Sequence, residues 1–260
     1  MVIDATLRLD FSDILEGIKT MQHNNTIFIV ADHGLAIIYF LQSQVITNLI
    51  QNGSRVVLLT QDALVEYVQT RFGQQGLVIE GLRYNQCDEY ARTYKSRTQW
   101  WLQFLRRVGT SDRINTEAMD SYIRQVAFEA KGRQKLLMPV AKLMVKHLRK
   151  SSQARQKIIQ YQMKFTPQIY RDLFEKYQPS LVVSSTYGWR QDRYILREAH
   201  MRGIKAGAVI VGWDNPSSYG IPCAPLDFVN CWSDIQKQEL IDGSDWDPEK
   251  VNVGGIPSYD

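Results

Sequence analysis

The chain has 260 residues, 44% apolar, 22% charged and 11% aromatic, a mixture that excludes a disordered chain and suffices for a sizeable buried core. Its formal net charge of +4 hides an asymmetry: residues 83–164 carry 18 Lys or Arg against 6 Asp or Glu, and the remainder 13 against 21. Three scattered cysteines (Cys87, Cys223, Cys231) with no CxxC or Cys/His cluster exclude a disulfide framework and suggest neither metal nor cofactor. They fit a reducing, cytoplasmic compartment. The amino terminus, MVIDATLRLDFSD, has no apolar signal core, and no run approaches the roughly 18 uninterrupted apolar residues of a spanning helix.

In chain order, TIFIVA (26–31) predicts a buried strand, followed by a small-residue loop and a helix over VITNLIQNG ending at Gly53. A strand, RVVLLT (55–60), and a helix, DALVEYVQTRFG, come next, with Asp62 as N-cap and Gly73 as stop, then a strand, LVIEGL (77–82). Strand signals vanish over residues 86–165. Helical spacing appears instead in WWLQFLRRV, YIRQVAFEA and LLMPVAKLMVKHLRK, where Pro139 should kink or cap. The alternation then resumes. A helix is expected over 166–179, with Thr166 as N-cap and Pro167 at its first position. SLVVSS (180–185) is a strand, DRYILREAHMRG (192–203) a helix with Asp192 as N-cap, and KAGAVIVGW (205–213) a strand. DFVNCW (227–232), a helix capped by Ser233, and KVNVGG (250–255) complete the pattern. Apolar strands alternating with helices predict an α/β, Rossmann-like doubly wound and mostly parallel sheet of about seven strands, with a helical insertion. The expected units are 1–82 and 166–254 as two parts of one domain, 83–165 as a basic helical insertion, and 255–260 as the start of a hinge.

Ligands of open parallel sheets bind at the carboxyl ends of the strands, and three strand ends here carry polar groups. Asp32-His33-Gly34 follows the first strand. His33 suits a general base near pH 7 and Asp32 could orient it; a plain turn with a surface histidine is the other reading. Trp189, Arg190 and Arg193 follow SLVVSS, and the arginines there offer charge-assisted donors to an anion or make surface salt bridges. The helix start after them adds N–H groups that favour anions. Trp213, Asp214 and Asn215 end the strand KAGAVIVGW. An aromatic face, an acid and an amide make a sugar-binding set, against the alternative of an Asx-type turn before Pro216. The sequence carries no GxGxxG after the first strand, no GxxxxGK[ST] and no GxSxG, which argues against a dinucleotide dehydrogenase, a P-loop ATPase and an α/β-hydrolase.

Three motifs over 180–260 carry a family likeness: VVSSTYGWRQDRYILREAHMRGI, VIVGWDNPSSYG, and DFVNCWSDIQKQEL followed by VNVGGIPSYD. With them the chain resembles the amino-terminal domain of GT-B glycosyltransferases of surface-polysaccharide and teichoic-acid synthesis; residues 26–82 are similar more weakly. The resemblance implies an acceptor-side domain, with the catalytic base of inverting members at His33 or Asp32. Nucleotide-sugar contacts would come mostly from a carboxy-terminal domain entered through Gly255–Asp260, so this half alone would be inactive. Related architectures open two alternatives, a nucleotide-sugar 2-epimerase and a polyol-phosphate transferase.

QWWLQFLRR (99–107) joins Trp100 and Trp101 to Arg106 and Arg107. Such a mixture suits an anionic membrane surface or a lipid-linked acceptor, and equally the core of a helical subdomain. The basic block as a whole suits an anionic partner or forms a solvated face. A non-catalytic binding module using these helices is the third functional alternative, although no nucleic-acid-reading motif accompanies them.

Overall fold

The structure, a computed structural model, describes residues 25–255. The expected hinge beyond Gly255 and residues 1–24 of the expected first unit lie outside the described residues. Seven strands form one sheet: β1 (Thr26–Ala31), β2 (Arg55–Thr60), β3 (Leu77–Gly81), β4 (Leu181–Ser184), β5 (Lys205–Val209), β6 (Phe228–Cys231) and β7 (Val251–Val253). Their order is β3-β2-β1-β4-β5-β6-β7 and every pairing is parallel. The chain is therefore a Rossmann-like, doubly wound α/β protein, as the strand rhythm predicts.

Two-sided burial explains why the strands read as unbroken apolar runs. Ile27, Ile29 and Ala31 of β1 pack on one face with α1 (Gly34–Leu41), α2 (Val45–Gln51) and α3 (Val65–Phe72). Phe28 and Val30 point to the other face. There they meet Cys87 of α4 (Tyr84–Thr93), Leu173 and Phe174 of α9 (Arg171–Tyr177), Ile195 of α10 (Asp192–Met201) and Leu240 of α12 (Asp234–Ser244). A four-residue helix, α11 (Asn215–Ser218), lies between β5 and β6.

Between α4 and β4 stand α5 (Ser96–Val108), α6 (Glu117–Glu129), α7 (Arg133–Lys150) and α8 (Ser152–Gln162). These helices own a separate core around Phe104, Met119, Val126, Met138, Val145 and Leu148. Buried arginines fasten this subdomain to the sheet domain. Arg155, 3% exposed, makes a two-pronged ion pair with Asp245 at 2.6 Å per prong. Arg106 donates to the Ile221 carbonyl at 3.0 Å, and the Ile221 amide donates back to the Arg106 carbonyl. Gly220, at φ +77°, allows that approach: a Cβ there would stand 2.2 Å from the Arg106 carbonyl oxygen. Among the described residues no helix is long and apolar enough to cross a membrane.

Several local expectations are corrected. The small-residue loop after β1 is largely the helix α1, whose apolar residues at 36, 37, 39 and 40 pack on the sheet. Asp62 does not cap its own helix; it accepts the Arg83 and Tyr84 amides at 3.0 and 2.8 Å, tying the β3–α4 turn to β2. The helix expected from Thr166 starts at Arg171, because Thr166 closes the preceding turn by donating to the Met163 carbonyl. Pro139 sits inside α7 without ending it; lacking an N–H, it leaves the Lys135 carbonyl without the usual intrahelical donor. Strands β5 and β7 stop short of the expected 213 and 255. Ser233 caps α12 as expected, accepting the Gln236 amide.

Candidate functional site

Strand order reverses between β1 and β4, and in open α/β sheets the crevice outside the carboxyl ends at such a switch point is where ligands bind. Asp32 and His33 leave β1 there, and Ser185 and Thr186 leave β4 beside them. The end of β1 is pinned from outside, since the Asp32 carbonyl accepts Gln61 Nε2 at 2.9 Å and the Tyr84 hydroxyl at 3.1 Å.

The Asp32 side chain is fully buried. Its Oδ1 receives the Ser185 hydroxyl at 3.4 Å and lies 3.7 Å from His33 Nε2. Its Oδ2 is buried without a hydrogen-bond partner. Burial pushes the Asp32 carboxyl up to about 7, the Asp192 carboxylate adds to the rise, and Arg190 and Ser185 hold it back. Buried polar atoms without partners are rare in native proteins and concentrate at functional positions.

His33 is engaged by its own helix. Its backbone is extended, it forms the N-cap of α1, and its Nδ1 accepts the Ala36 amide at 3.2 Å. Burial, then the Arg190 charge, lowers its pKa, so the imidazole is neutral. With Nδ1 occupied as an acceptor, the proton sits on Nε2, the atom that faces Asp32. The basic lone pair of His33 is thus used by a helix cap, and the acid left with proton-accepting capacity is Asp32. Gly34 opens α1 and faces open space.

Asp192 organises the β4 side. It is the first residue of α10, not its N-cap, which is Gln191. Its fully buried carboxylate collects the hydroxyls of Ser184 (2.9 Å) and Thr186 and the amides of Gly188 (3.1 Å) and Arg190 (2.9 Å). The Trp189 amide goes to the Thr186 hydroxyl at 2.9 Å. The amides of the loop before α10 are therefore taken by the protein's own groups, and in its first turn the Arg193 and Tyr194 amides reach the Arg190 and Gln191 carbonyls. Gly188 makes this loop possible at φ +97°; a Cβ there would stand 2.1 Å from Cys223 Sγ.

Other expected site residues separate. Arg190 is exposed, and its charge is felt at Asp32 and His33. Arg193 turns toward the helical subdomain, donating to the Arg190 carbonyl at 2.8 Å and to the Tyr194 hydroxyl at 3.3 Å. Trp189 stacks on Tyr219, ring centroids 4.9 Å apart, and takes the Arg107 guanidinium at 4.2 Å. Trp213 is 76% exposed on a backbone held by Gln236, whose amide donates to the Gly212 and Trp213 carbonyls at 3.3 and 2.9 Å. Asp214 is exposed beside it; the Asn215 side chain lies outside the described residues. The Tyr219 hydroxyl is pushed up to about 12, by burial and then by the carboxylates of Asp214, Asp32 and Asp192.

The residues expected at a membrane divide as well. Arg106 is fully buried and cannot face a surface; it is a fastening residue. Arg107 is half-buried over Tyr122 at 3.6 Å and Trp189. Trp100 remains 38% exposed, packed against Trp101 and stacked on Phe104. Sequence reading passed over Ser185, Tyr84 and Tyr219, which belong to the site through contacts many residues away.

In comparisons with known proteins, no family model matches the chain and no curated relative is found. The class of site rests on this geometry: the switch point of a doubly wound sheet, holding a buried acid whose pKa burial pushes up to about 7.

Proposed function

We propose that the chain is the acceptor-side domain of a glycosyltransferase, moving a sugar from a nucleotide-sugar donor to a glycan or lipid-linked acceptor at the cytoplasmic face of a membrane. The observation that carries this reading is Asp32, a buried carboxyl at the switch point with an unpartnered oxygen and a pKa near 7. Asp32 Oδ2 takes the proton of the acceptor hydroxyl as that oxygen bonds to the anomeric carbon. The bond from that carbon to the nucleoside diphosphate breaks, and the electron pair leaves with the phosphate. His33 Nε2 stands 3.7 Å from Asp32 Oδ1 without a hydrogen bond between them. Trp213 offers an exposed ring face to a sugar and Arg190 an exposed cation to an anionic group. A second, nucleotide-binding domain supplies the donor. Since Asp32 is fully buried, acceptor entry displaces a neighbour, and His33 on the first turn of α1 is the adjacent side chain.

The test is sugar transfer by the natural gene product that contains this chain. Asp32→Asn is expected to lower kcat by about 100-fold or more while acceptor KM changes little. Wild-type kcat is expected to rise with pH through an apparent pKa near 7, the limb on which Asp32 loses its proton. A D32N rate equal to wild type counts against the assignment.

A further inference from the structure

A second candidate site lies where the helical subdomain meets the sheet domain. A cavity of about 960 Å³ opens between α4, α5, the start of α7 and α10. Six cations line it: Arg92, Arg97, Lys131, Arg133, Arg193 and Arg197, with no Asp or Glu among the lining residues. None of the six pairs with a carboxylate among the described residues. Arg197 is the buried anchor at 4% exposure. Its guanidinium is held by neutral acceptors only, the Cys223 and Phe165 carbonyls and Gln162 Oε1. Cations gathered without counter-charge repel one another, and a multiply charged anion relieves that repulsion.

The cavity also has an apolar side. Trp100, Trp101 and Leu137 line it, and Leu137 continues into a stripe on α7. Leu136 (78%), Val140 (55%), Leu143 (68%) and Met144 (46%) are exposed at helical spacing. Phe128, at the end of α6, is 91% exposed. Residues 130–165 contain ten Lys or Arg and no Asp or Glu, so the helix that carries the stripe is itself purely basic; Glu129 stands beside Phe128. An apolar helix face with basic flanks lies at the interface of an anionic bilayer.

We infer that this cavity binds the phosphate-bearing head of an anionic membrane lipid, with the α7 stripe and Phe128 set into the bilayer surface. The inference deepens the membrane side of the proposed function, naming the residues that hold the protein there. It does not depend on which group is transferred. Arg92, Arg97, Lys131 and Arg133 lie on the rim, exposed, while Arg193 and Arg197 come from α10, the helix that follows the Asp192-centred loop.

The experiment is co-sedimentation of the chain with vesicles of phosphatidylcholine alone and of phosphatidylcholine with about 30% phosphatidic acid, with inorganic pyrophosphate and a single-stranded oligonucleotide as competitors. Binding is expected only to the anionic vesicles, decreasing with salt. The triple variant R97Q/K131Q/R133Q is expected to bind about 100-fold more weakly. Leu136→Ser with Leu143→Ser is expected to bind about 10-fold more weakly with unchanged thermal unfolding, because both side chains are exposed. Equal binding to both vesicle types, undiminished binding of the triple variant, binding of pyrophosphate without binding of vesicles, or preferential binding of the oligonucleotide each overturns the inference. Asp32→Asn leaves vesicle binding intact, so a failed transfer test and a failed binding test are distinguishable.

Discussion

The two polar regions of the molecule are built in opposite ways. At the strand ends the charge is acidic, buried and almost fully engaged: Asp192 satisfies four donors of its own loop, and Asp32 keeps one oxygen unpartnered. In the cavity beside the helical subdomain the charge is basic, largely at the rim and without carboxylate partners, next to an exposed apolar stripe. The first arrangement raises the pKa of a single buried carboxyl; the second gathers several solvated cations. The contrast matches chemistry to burial. A low-dielectric pocket can shift one pKa by several units, whereas solvated cations act together and with little individual specificity.

The junction between these regions offers the largest effect. Arg155→Met breaks the buried ion pair to Asp245 and leaves that acid short of its partner, and is expected to cost about 3–5 kcal/mol in urea unfolding. A loss under about 1 kcal/mol would mean the subdomain is held by its other contacts. Next comes Gly188→Ala, which forces a left-handed backbone on alanine and drives its Cβ into Cys223. It is expected to cost about 2–4 kcal/mol, read from the same unfolding curves.

Asp32→Asn should act on stability in a pH-dependent way. The folded carboxyl titrates near 7 against an ordinary value of 3.8. The folded state thus binds the proton more tightly, and stability falls as pH rises from about 4 to about 7, with the whole loss present above that range. Asparagine removes the loss, giving a gain on the order of 2–4 kcal/mol at pH 8 and none at pH 3. A gain of equal size at both pH values would show that the effect is packing and not charge. The smallest effect separates the two faces of α7. Leu143→Ser, on the exposed face, should change stability by less than about 0.5 kcal/mol, while Leu148→Ala, on the buried face, should cost about 2–4 kcal/mol.

Sheet and helices were legible because their signals are local: TIFIVA and RVVLLT coincide with β1 and β2, and Ser233 caps the helix it precedes. What misled sequence reading were side chains whose partners lie far along the chain. Asp62 resembles an N-cap but bonds amides 21 and 22 residues away. Arg106 reads as a surface arginine beside Trp100 and Trp101, yet it is buried against the Ile221 carbonyl, 115 residues on. The strand-end positions of Asp32, His33 and Trp213 were legible, but their roles were not. Which nitrogen of His33 is engaged depends on the Ala36 amide, and α1 was invisible in a sequence read as a small-residue loop. The α7 stripe was visible as periodicity, but only the fold shows that its apolar side faces outward.

Titration of the Asp32 carboxyl carbon in aspartate-labelled protein tests the central claim most directly, with Asp32→Asn assigning the resonance. A midpoint near pH 7, displaced when Arg190→Gln removes the nearby cation, is the predicted result. A midpoint near 4, insensitive to Arg190, would contradict the account of the strand-end crevice as a proton-accepting site.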